Sequence, residues 1–171
     1  MKKVKIGMVG SGFAARLHAE HYGKLPGVDT EVIAIASKDG EEAKKFKKDF
    51  AFDAAQILDD AEKMIRDSDA DIIDLTVPTF LHVPLSILAA EAGKAVICEK
   101  PLTGYFGDAN IPIEERAPAG SADKKMMLQE CLRDCQRLES TLKKHNSLFC
   151  YAENWVYAPP ITKAKELIQS A

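Results

Sequence analysis

Several features that would place a chain in a special class of protein are missing from this sequence of 171 residues. No apolar run approaches the ~20 residues that a membrane-spanning helix needs, so we expect no membrane association. The 23 basic and 26 acidic side chains nearly balance, which gives no electrostatic reason to expect a nucleic-acid partner. No internal repeat is present, and an apolar content of 46% is ordinary for one globular domain.

Cysteine and histidine are also too sparse to predict a metal or redox centre. The four cysteines are Cys98, Cys131, Cys135 and Cys150. None forms a C-x-x-C pair, so neither a zinc ribbon nor a redox motif is available, and we expect a reducing, cytoplasmic compartment. His18 and His21 lie three apart on a predicted helix without a third ligand. We interpret them as packing residues, and we predict no metal site.

The chain alternates strand-like and helix-like segments, which is typical of an α/β domain with a parallel sheet. Strands are predicted at 4–9, 31–36, near 51–52, and at 72–77, 95–99 and 148–152. Helices are predicted at 13–24, 40–50, 55–66, 82–92 and 123–145, with a last one after Pro160. Residues 104–122 carry three glycines and two prolines without periodicity, which predicts a functional or disordered loop. We expect a doubly wound Rossmann sheet with strand order 3-2-1-4-5-6.

The most informative motif is G-x-G-x-x-A, between the first predicted strand and the first predicted helix. In such a turn Gly10 permits the tight bend, Gly12 lets a pyrophosphate approach the backbone, and Ala15 lets the helix pack closely. The free N–H groups of the helix N-terminus favour the phosphates. The predicted cofactor-binding residues here are Gly10, Ser11, Gly12, Phe13 and Ala14. The alternative is a tight turn without a ligand.

The end of the second strand distinguishes the two nicotinamide dinucleotides. An acidic side chain there binds the ribose hydroxyls of NAD, whereas its absence beside a cation admits the 2′-phosphate of NADP. Ser37 occupies the position where the acid is expected, and Lys38 is the neighbouring cation. This favours NADP, while Asp39 leaves NAD open if the strand ends later.

The third strong strand ends at Thr76-Val77-Pro78-Thr79, and His82 follows. Ligands of doubly wound sheets bind outside the carboxyl ends of the strands, so we expect all five residues to lie at the cofactor site. The two threonines can offer hydroxyl groups. The His82 ring could touch the nicotinamide half, although a capping or packing role is the alternative that we favour for the imidazole.

The next strand ends at Glu99-Lys100-Pro101, where charged side chains are poorly explained by packing. A lysine at the mouth of a cleft can donate a proton or a hydrogen bond to a substrate oxygen during hydride transfer. We therefore predict Lys100 as the catalytic residue and both Glu99 and Lys100 as cofactor contacts. A surface salt bridge is the alternative.

These motifs together resemble the glucose–fructose oxidoreductase, inositol dehydrogenase and MocA family. The matching segments are G-x-G-x-x-A, T-x-P-T-x-x-H and E-K-P-L-T, the last at residues 99–103. The resemblance implies NAD(P) binding, a catalytic role for Lys100, and a substrate of the sugar or polyol type. It also implies that residues 151–159 form the crossover from the last strand, with Glu153 and Asn154 approaching the nicotinamide end.

Members of that family are normally about twice as long and carry a C-terminal α/β domain. We therefore expect a Rossmann domain at 1–152 and, at 153–171, a connecting segment that is only a stub of the second domain. On this interpretation the chain binds cofactor without turnover, and the apolar face of the last helix permits a homodimer or packs back on the core. A non-catalytic dinucleotide sensor or interaction module is the alternative function. A methyltransferase that uses S-adenosylmethionine fits the glycine motif less well.

Overall fold

The computed structural model of the chain describes residues 3–108, 111–116, 120 and 122–170. Its centre is one sheet of six strands in the order β3-β2-β1-β4-β5-β6, and every neighbouring pair is parallel. The strands are β1 (Lys3–Val9), β2 (Asp29–Ala36), β3 (Gln56–Leu58), β4 (Ile72–Leu75), β5 (Ala95–Glu99) and β6 (Phe149–Ala152). The predicted fold class and strand order are confirmed.

Helices cover both faces of this sheet. They are α1 (Phe13–Tyr22), α2 (Gly40–Asp49), α3 (Ala61–Asp67), α4 (His82–Glu91), α5 (Lys124–His145) and α6 (Pro159–Gln169). Helices α1 and α2 pack against one face around the fully buried Phe46, while α3 and α4 pack against the other around Ile65 and Ala89. The carboxyl-terminal parts of the central strands β1, β2 and β4 are buried on both faces, which explains why these strands appear in the sequence as nearly continuous apolar runs.

Two predicted elements lie at the wrong place, both between β2 and β4. The strand expected near 51–52 is a turn, in which Ala51 has a φ of +52°, and β3 begins only at Gln56. The helix expected from 55 begins at Ala61, because the Asp60 side chain accepts the N–H of Lys63 and caps the helix there. The short apolar segments of this region are ambiguous between strand and helix.

The register of the sheet brings the carboxyl ends of its strands to one edge. Val9 pairs with both Ala36 and Leu75, and Leu75 pairs with Cys98. Farther along, Glu99 pairs with Ala152. The segments that follow β1, β2, β4, β5 and β6 therefore begin beside one another, at what we call the carboxyl edge.

The described part of the loop at 104–122 is folded. The Arg116 guanidinium donates to the carbonyl oxygens of Ile111 and Phe106, at 2.7 and 3.1 Å. The Phe106 ring contacts Phe80 edge-on, with 6.1 Å between centroids. This contact attaches the loop to the segment that follows β4, close to the carboxyl edge.

Helix α6 does not pack back on the sheet, because each of its residues is exposed. The expectation that it returns to the Rossmann core is wrong. The domain boundary at residue 152 stays a prediction. Within the described ranges, no helix combines the length and apolar character that crossing a membrane requires.

Candidate functional site

The glycine turn is held between β2 and β4 by backbone contacts. The N–H of Gly10 donates to the Ala36 carbonyl at 2.8 Å, and the φ of Gly10 is +106°. A Cβ at this position would lie 2.7 Å from both the carbonyl oxygen and Oγ1 of Thr76. Glycine is therefore required here by backbone conformation and by the close approach of β4.

Gly12 differs from Gly10, because a Cβ there would meet no atom within 4 Å. It precedes α1, whose first turn receives no hydrogen bond from a side-chain cap. The helix N-terminus thus carries no side-chain cap and begins beside open space, an arrangement that suits phosphate binding. Phe13 is 79% exposed at the same place. Ala14 is half-buried, whereas Ala15 is fully buried against the sheet.

Ser11 is buried, and its hydroxyl lies 3.0 Å from the Ser37 hydroxyl at the end of β2. This contact joins the glycine turn to the segment predicted to select the cofactor. The Asp39 carboxylate accepts the N–H groups of Glu41 and Glu42 at 3.0 and 2.9 Å. Asp39 is therefore the N-cap of α2, and its bonded oxygen is directed at that helix.

Ser37 and the exposed Lys38 line a cleft of about 400 Å³ beside β3. Lys63 lines the same cleft and brings a second cation, although Asp59 and Asp60 are also present. Sequence reasoning missed Lys63, since it depends on α3 beginning at Ala61 and reaching this edge.

The segment after β4 contacts the end of β1, directly before the glycine turn. The hydroxyl and the N–H of Thr76 both donate to the Val9 carbonyl, at 3.0 and 2.9 Å. Val77 packs against the core, while Pro78 is exposed and Thr79 is half-buried. The Thr76 hydroxyl thus stabilises the crossing of β1 and β4, and Pro78 and Thr79 lie nearer to the open edge.

His82 is buried, with only 1% of its surface exposed. Its Nε2 and Nδ1 each lie 2.8 Å from a carbonyl oxygen, the first of Val77 and the second of Pro101. The ring therefore connects the segments that follow β4 and β5. This placement favours the packing role over direct contact with a cofactor.

Lys100 is exposed at the end of β5, and its N–H donates to Glu99 Oε2 at 2.8 Å. The other oxygen of Glu99 lies 3.2 Å from Nε2 of His18. Among the ion pairs of the described residues, the partner of Glu99 is His18 and not the Lys100 ammonium. The alternative interpretation, a surface salt bridge between Glu99 and Lys100, is therefore not found among the described residues.

The expectation that His18 is only a packing residue is wrong. Its Nδ1 lies 3.0 and 2.9 Å from the two carboxylate oxygens of Asp74, which is fully buried and also accepts the hydroxyl of Tyr22. Burial alone would lower the pKa of His18, but hydrogen bonds and charge from Asp74, then from Glu99, raise it above its ordinary value. Burial and the Asp74 charge raise the pKa of Tyr22.

Sequence reasoning missed Asp74, although one signal for it was present. The strand reads Ile72-Ile73-Asp74-Leu75, and a carboxylate inside such an apolar run needs a buried partner. The sequence gives no indication of which donors meet it, because they come from α1.

Glu153 and Asn154 follow β6 at the same edge as Lys100. The Glu153 carboxylate accepts the N–H of Trp155 at 3.1 Å and caps a short 3-10 helix at Asn154–Tyr157. Asn154 is exposed. Both residues thus follow the end of β6 beside the end of β5. Their approach to the nicotinamide end stays a prediction.

Comparison with known proteins gives several matches. The family described as "Oxidoreductase family, NAD-binding Rossmann fold" matches residues 4–118. Levoglucosan dehydrogenase of Pseudarthrobacter phenanthrenivorans is 33% identical over 60% of this chain and 27% of its own. Inositol 2-dehydrogenase 4 of Saccharopolyspora erythraea is 32% identical over 70% of this chain and 34% of its own.

Among solved structures, scyllo-inositol dehydrogenase from Lactobacillus casei, with bound NAD(H) and scyllo-inositol, superposes with a TM-score of 0.73. That match is 21% identical and covers 99% of this chain and 42% of the other, so it bears on the fold alone. The chain thus spans well under half the length of these relatives. It belongs, through its NAD-binding Rossmann fold, to the glucose–fructose oxidoreductase, inositol dehydrogenase and MocA family of oxidoreductases.

Proposed function

We propose that this chain binds a nicotinamide dinucleotide along the carboxyl edge and forms the cofactor-binding half of an NAD(P)-dependent oxidoreductase. The observation that carries the proposal is the open space at Gly12 before the uncapped N-terminus of α1. A pyrophosphate there would accept backbone N–H groups and lie at the positive end of the helix dipole. Gly10 and Thr76 keep the turn in the required shape.

The proposed reaction is reversible hydride transfer to or from a carbon that carries a hydroxyl or carbonyl group. The bound nicotinamide would supply the hydride chemistry. Lys100 would bind the substrate oxygen and polarise or protonate it, because its exposed ammonium lies where the nicotinamide half of a dinucleotide is expected. The relatives named for levoglucosan and inositol support a substrate of the sugar or polyol type.

We propose NADP as the preferred cofactor, with NAD as the alternative. No carboxylate stands at Ser37, and the nearby Asp39 is engaged as the cap of α2. Lys38 and Lys63 both line the cleft that begins at Ser37, so two ammonium groups can meet a 2′-phosphate.

The glycine turn gives the first prediction. We expect Gly12→Val to abolish NADPH binding in a fluorescence titration while the melting temperature stays within a few degrees of wild type. The added side chain would enter the space of the pyrophosphate, and its Cβ would meet no protein atom within 4 Å. Gly10→Ala is the contrasting variant, since strain and the contact with Thr76 should destabilise the fold by on the order of 3 kcal/mol. NADPH binding by Gly12→Val with wild-type affinity would remove the main support for this site.

Cofactor selection gives the second prediction. We expect the dissociation constant of NADPH to be lower than that of NADH at one fixed salt concentration. Lys38→Ala should weaken NADPH binding about fivefold, equivalent to ~1 kcal/mol for one exposed charged hydrogen bond, and leave NADH binding unchanged. Lys144→Ala, at the exposed end of α5, is the charge-matched control. A clear preference for NADH would contradict the assignment.

The third prediction is that this chain binds cofactor but does not oxidise sugars or polyols. Hydride transfer requires the reacting carbon within about 3–3.5 Å of the nicotinamide. The chain matches only 27% and 34% of the relatives named for levoglucosan and inositol, so the residues that hold the substrate there in those proteins need not all be matched here. The test supplies NADP⁺ and follows the rise of NADPH absorbance during incubation with a panel of sugars and polyols. Rapid turnover would show that this chain alone positions the substrate against the nicotinamide, and would contradict the prediction.

The fourth prediction is that the exposed apolar face of α6 associates with a second copy of the chain. On α6, Leu167 and Ile168 are 60% and 78% exposed, and just before the helix Trp155 and Tyr157 are 69% and 81% exposed. These side chains offer apolar surface of the kind that marks an interface. Sedimentation should show a dimer that Ile168→Glu dissociates. A wild-type monomer at high micromolar concentration would overturn this proposal.

A further inference from the structure

We propose that His18 is a positioning residue whose protonated imidazole ties helix α1 to the backbone of Lys100. His18 and the phosphate-binding turn lie on the same helix. Lys100 lies at the end of β5, two strands away from β1. The side chains of Asp74 and Glu99 connect these parts beneath the carboxyl edge.

The geometry of the ring requires two donors. Nδ1 is 2.9 Å from a carboxylate oxygen of Asp74, and Nε2 is 3.2 Å from one of Glu99. Ionised carboxylates only accept hydrogen bonds, and a neutral imidazole carries a single N–H. Only the imidazolium satisfies both contacts at once, and its charge offsets one of the two carboxylates that it bridges.

The alternation of side chains along the strands explains why these groups meet. Ile73 and Leu75 point into the core beneath α3 and α4, so Asp74 points to the opposite face, where α1 packs. Glu99 follows the buried Cys98 in β5 and points to that same face. His18, on α1, is thereby placed between two acids that come from separate strands.

Glu99 connects α1 to Lys100, because it contacts both His18 and the Lys100 backbone. One of its oxygens contacts His18, and the other accepts the N–H of Lys100 at 2.8 Å. With both oxygens engaged, the carboxylate has a fixed orientation, and the backbone of Lys100 is fixed with it. Loss of the imidazolium would remove the contact between His18 and Glu99. The Glu99 carboxylate and the backbone of Lys100 could then change position.

Charge also matters at this place. The ionisable groups in contact with His18 are Asp74 and Glu99. Tyr22 adjoins Asp74, and Cys98 lies near both acids on the other side of the sheet. Tyr22 is neutral, and burial raises the pKa of the Cys98 thiol to about 12, so neither supplies a compensating charge. Deprotonated His18 would leave two carboxylates without a counterion below the turn that, on the proposed function, binds a diphosphate.

The direction of the pH dependence follows from the contacts. Because Asp74 and Glu99 raise the pKa of His18 above its ordinary value, the bridge is favoured at low pH and persists to a higher pH than for a free imidazole. It is lost as the pH rises through the pKa of His18 in the folded chain. A bound diphosphate favours the imidazolium, so cofactor affinity should fall over the same range of pH.

The first experiment needs neither a variant nor a cofactor. Imidazole ¹⁵N resonances and backbone amide resonances of the wild-type chain are followed by NMR between pH 5 and 9. We expect His18 to carry protons on both nitrogens at low pH, and the Lys100 amide to shift with the midpoint of His18. A Lys100 amide that does not follow His18, or a neutral His18 at pH 5, would overturn the proposal.

The second experiment compares His18→Gln with His21→Gln. Glutamine at position 18 can donate to one carboxylate but brings no charge, whereas His21 is exposed on the same helix and contacts only the Leu17 carbonyl. We expect His18→Gln to abolish the pH response of Lys100 and to weaken NADPH binding about tenfold at pH 6, a typical coupling. His21→Gln should change neither.

The outcomes separate the two proposals. If His18→Gln does not fold, the wild-type titration alone decides the role of His18. If the wild-type chain binds no dinucleotide, the proposed function fails, while the response of the Lys100 amide still tests the bridge. An unchanged Lys100 titration in a folded His18→Gln would contradict the positioning role.

Discussion

The close approach of Gly10 to Thr76 determines the shape of the carboxyl edge. A Cβ on Gly10 would lie 2.7 Å from two oxygens of Thr76, so only glycine lets the chain cross the end of β4 here. Because of this crossing, α1 begins at the edge with its N–H groups facing outward. The direction of α1 also places His18 beside Asp74 and Glu99. The same helix therefore begins at the proposed phosphate site and contacts, through Glu99, the turn at Lys100.

Most of the fold could be predicted because its signals are local. Buried strands such as 4–9 and 95–99 are bounded by glycine, proline or charge, and the order of a doubly wound sheet follows from the alternation with helices. The prediction failed between residues 51 and 61, where the strand has three residues and the helix depends on the Asp60 cap. Short elements of this kind are stabilised by tertiary contacts and not by their own periodicity.

The candidate site was predictable in its position but less so in the roles of its side chains. Gly10 and Ala15 act as the motif predicts, since their backbone and size alone decide the contact. His82 and His18 act through partners that are distant in sequence, and no spacing rule points to these partners. The single aspartate in the apolar run of β4 was the one sign in the sequence that a buried polar network exists.

The central claim is that a nicotinamide dinucleotide lies along the carboxyl edge, from Ser37 past the glycine turn to Lys100. Backbone amide shifts measured by NMR during a titration with NADPH test it directly. We expect the largest changes at residues 10–14, 37–38 and 99–100. Changes confined to the groove of about 820 Å³ at the opposite end of the sheet, lined by Tyr22, Thr30 and Phe52, would contradict it.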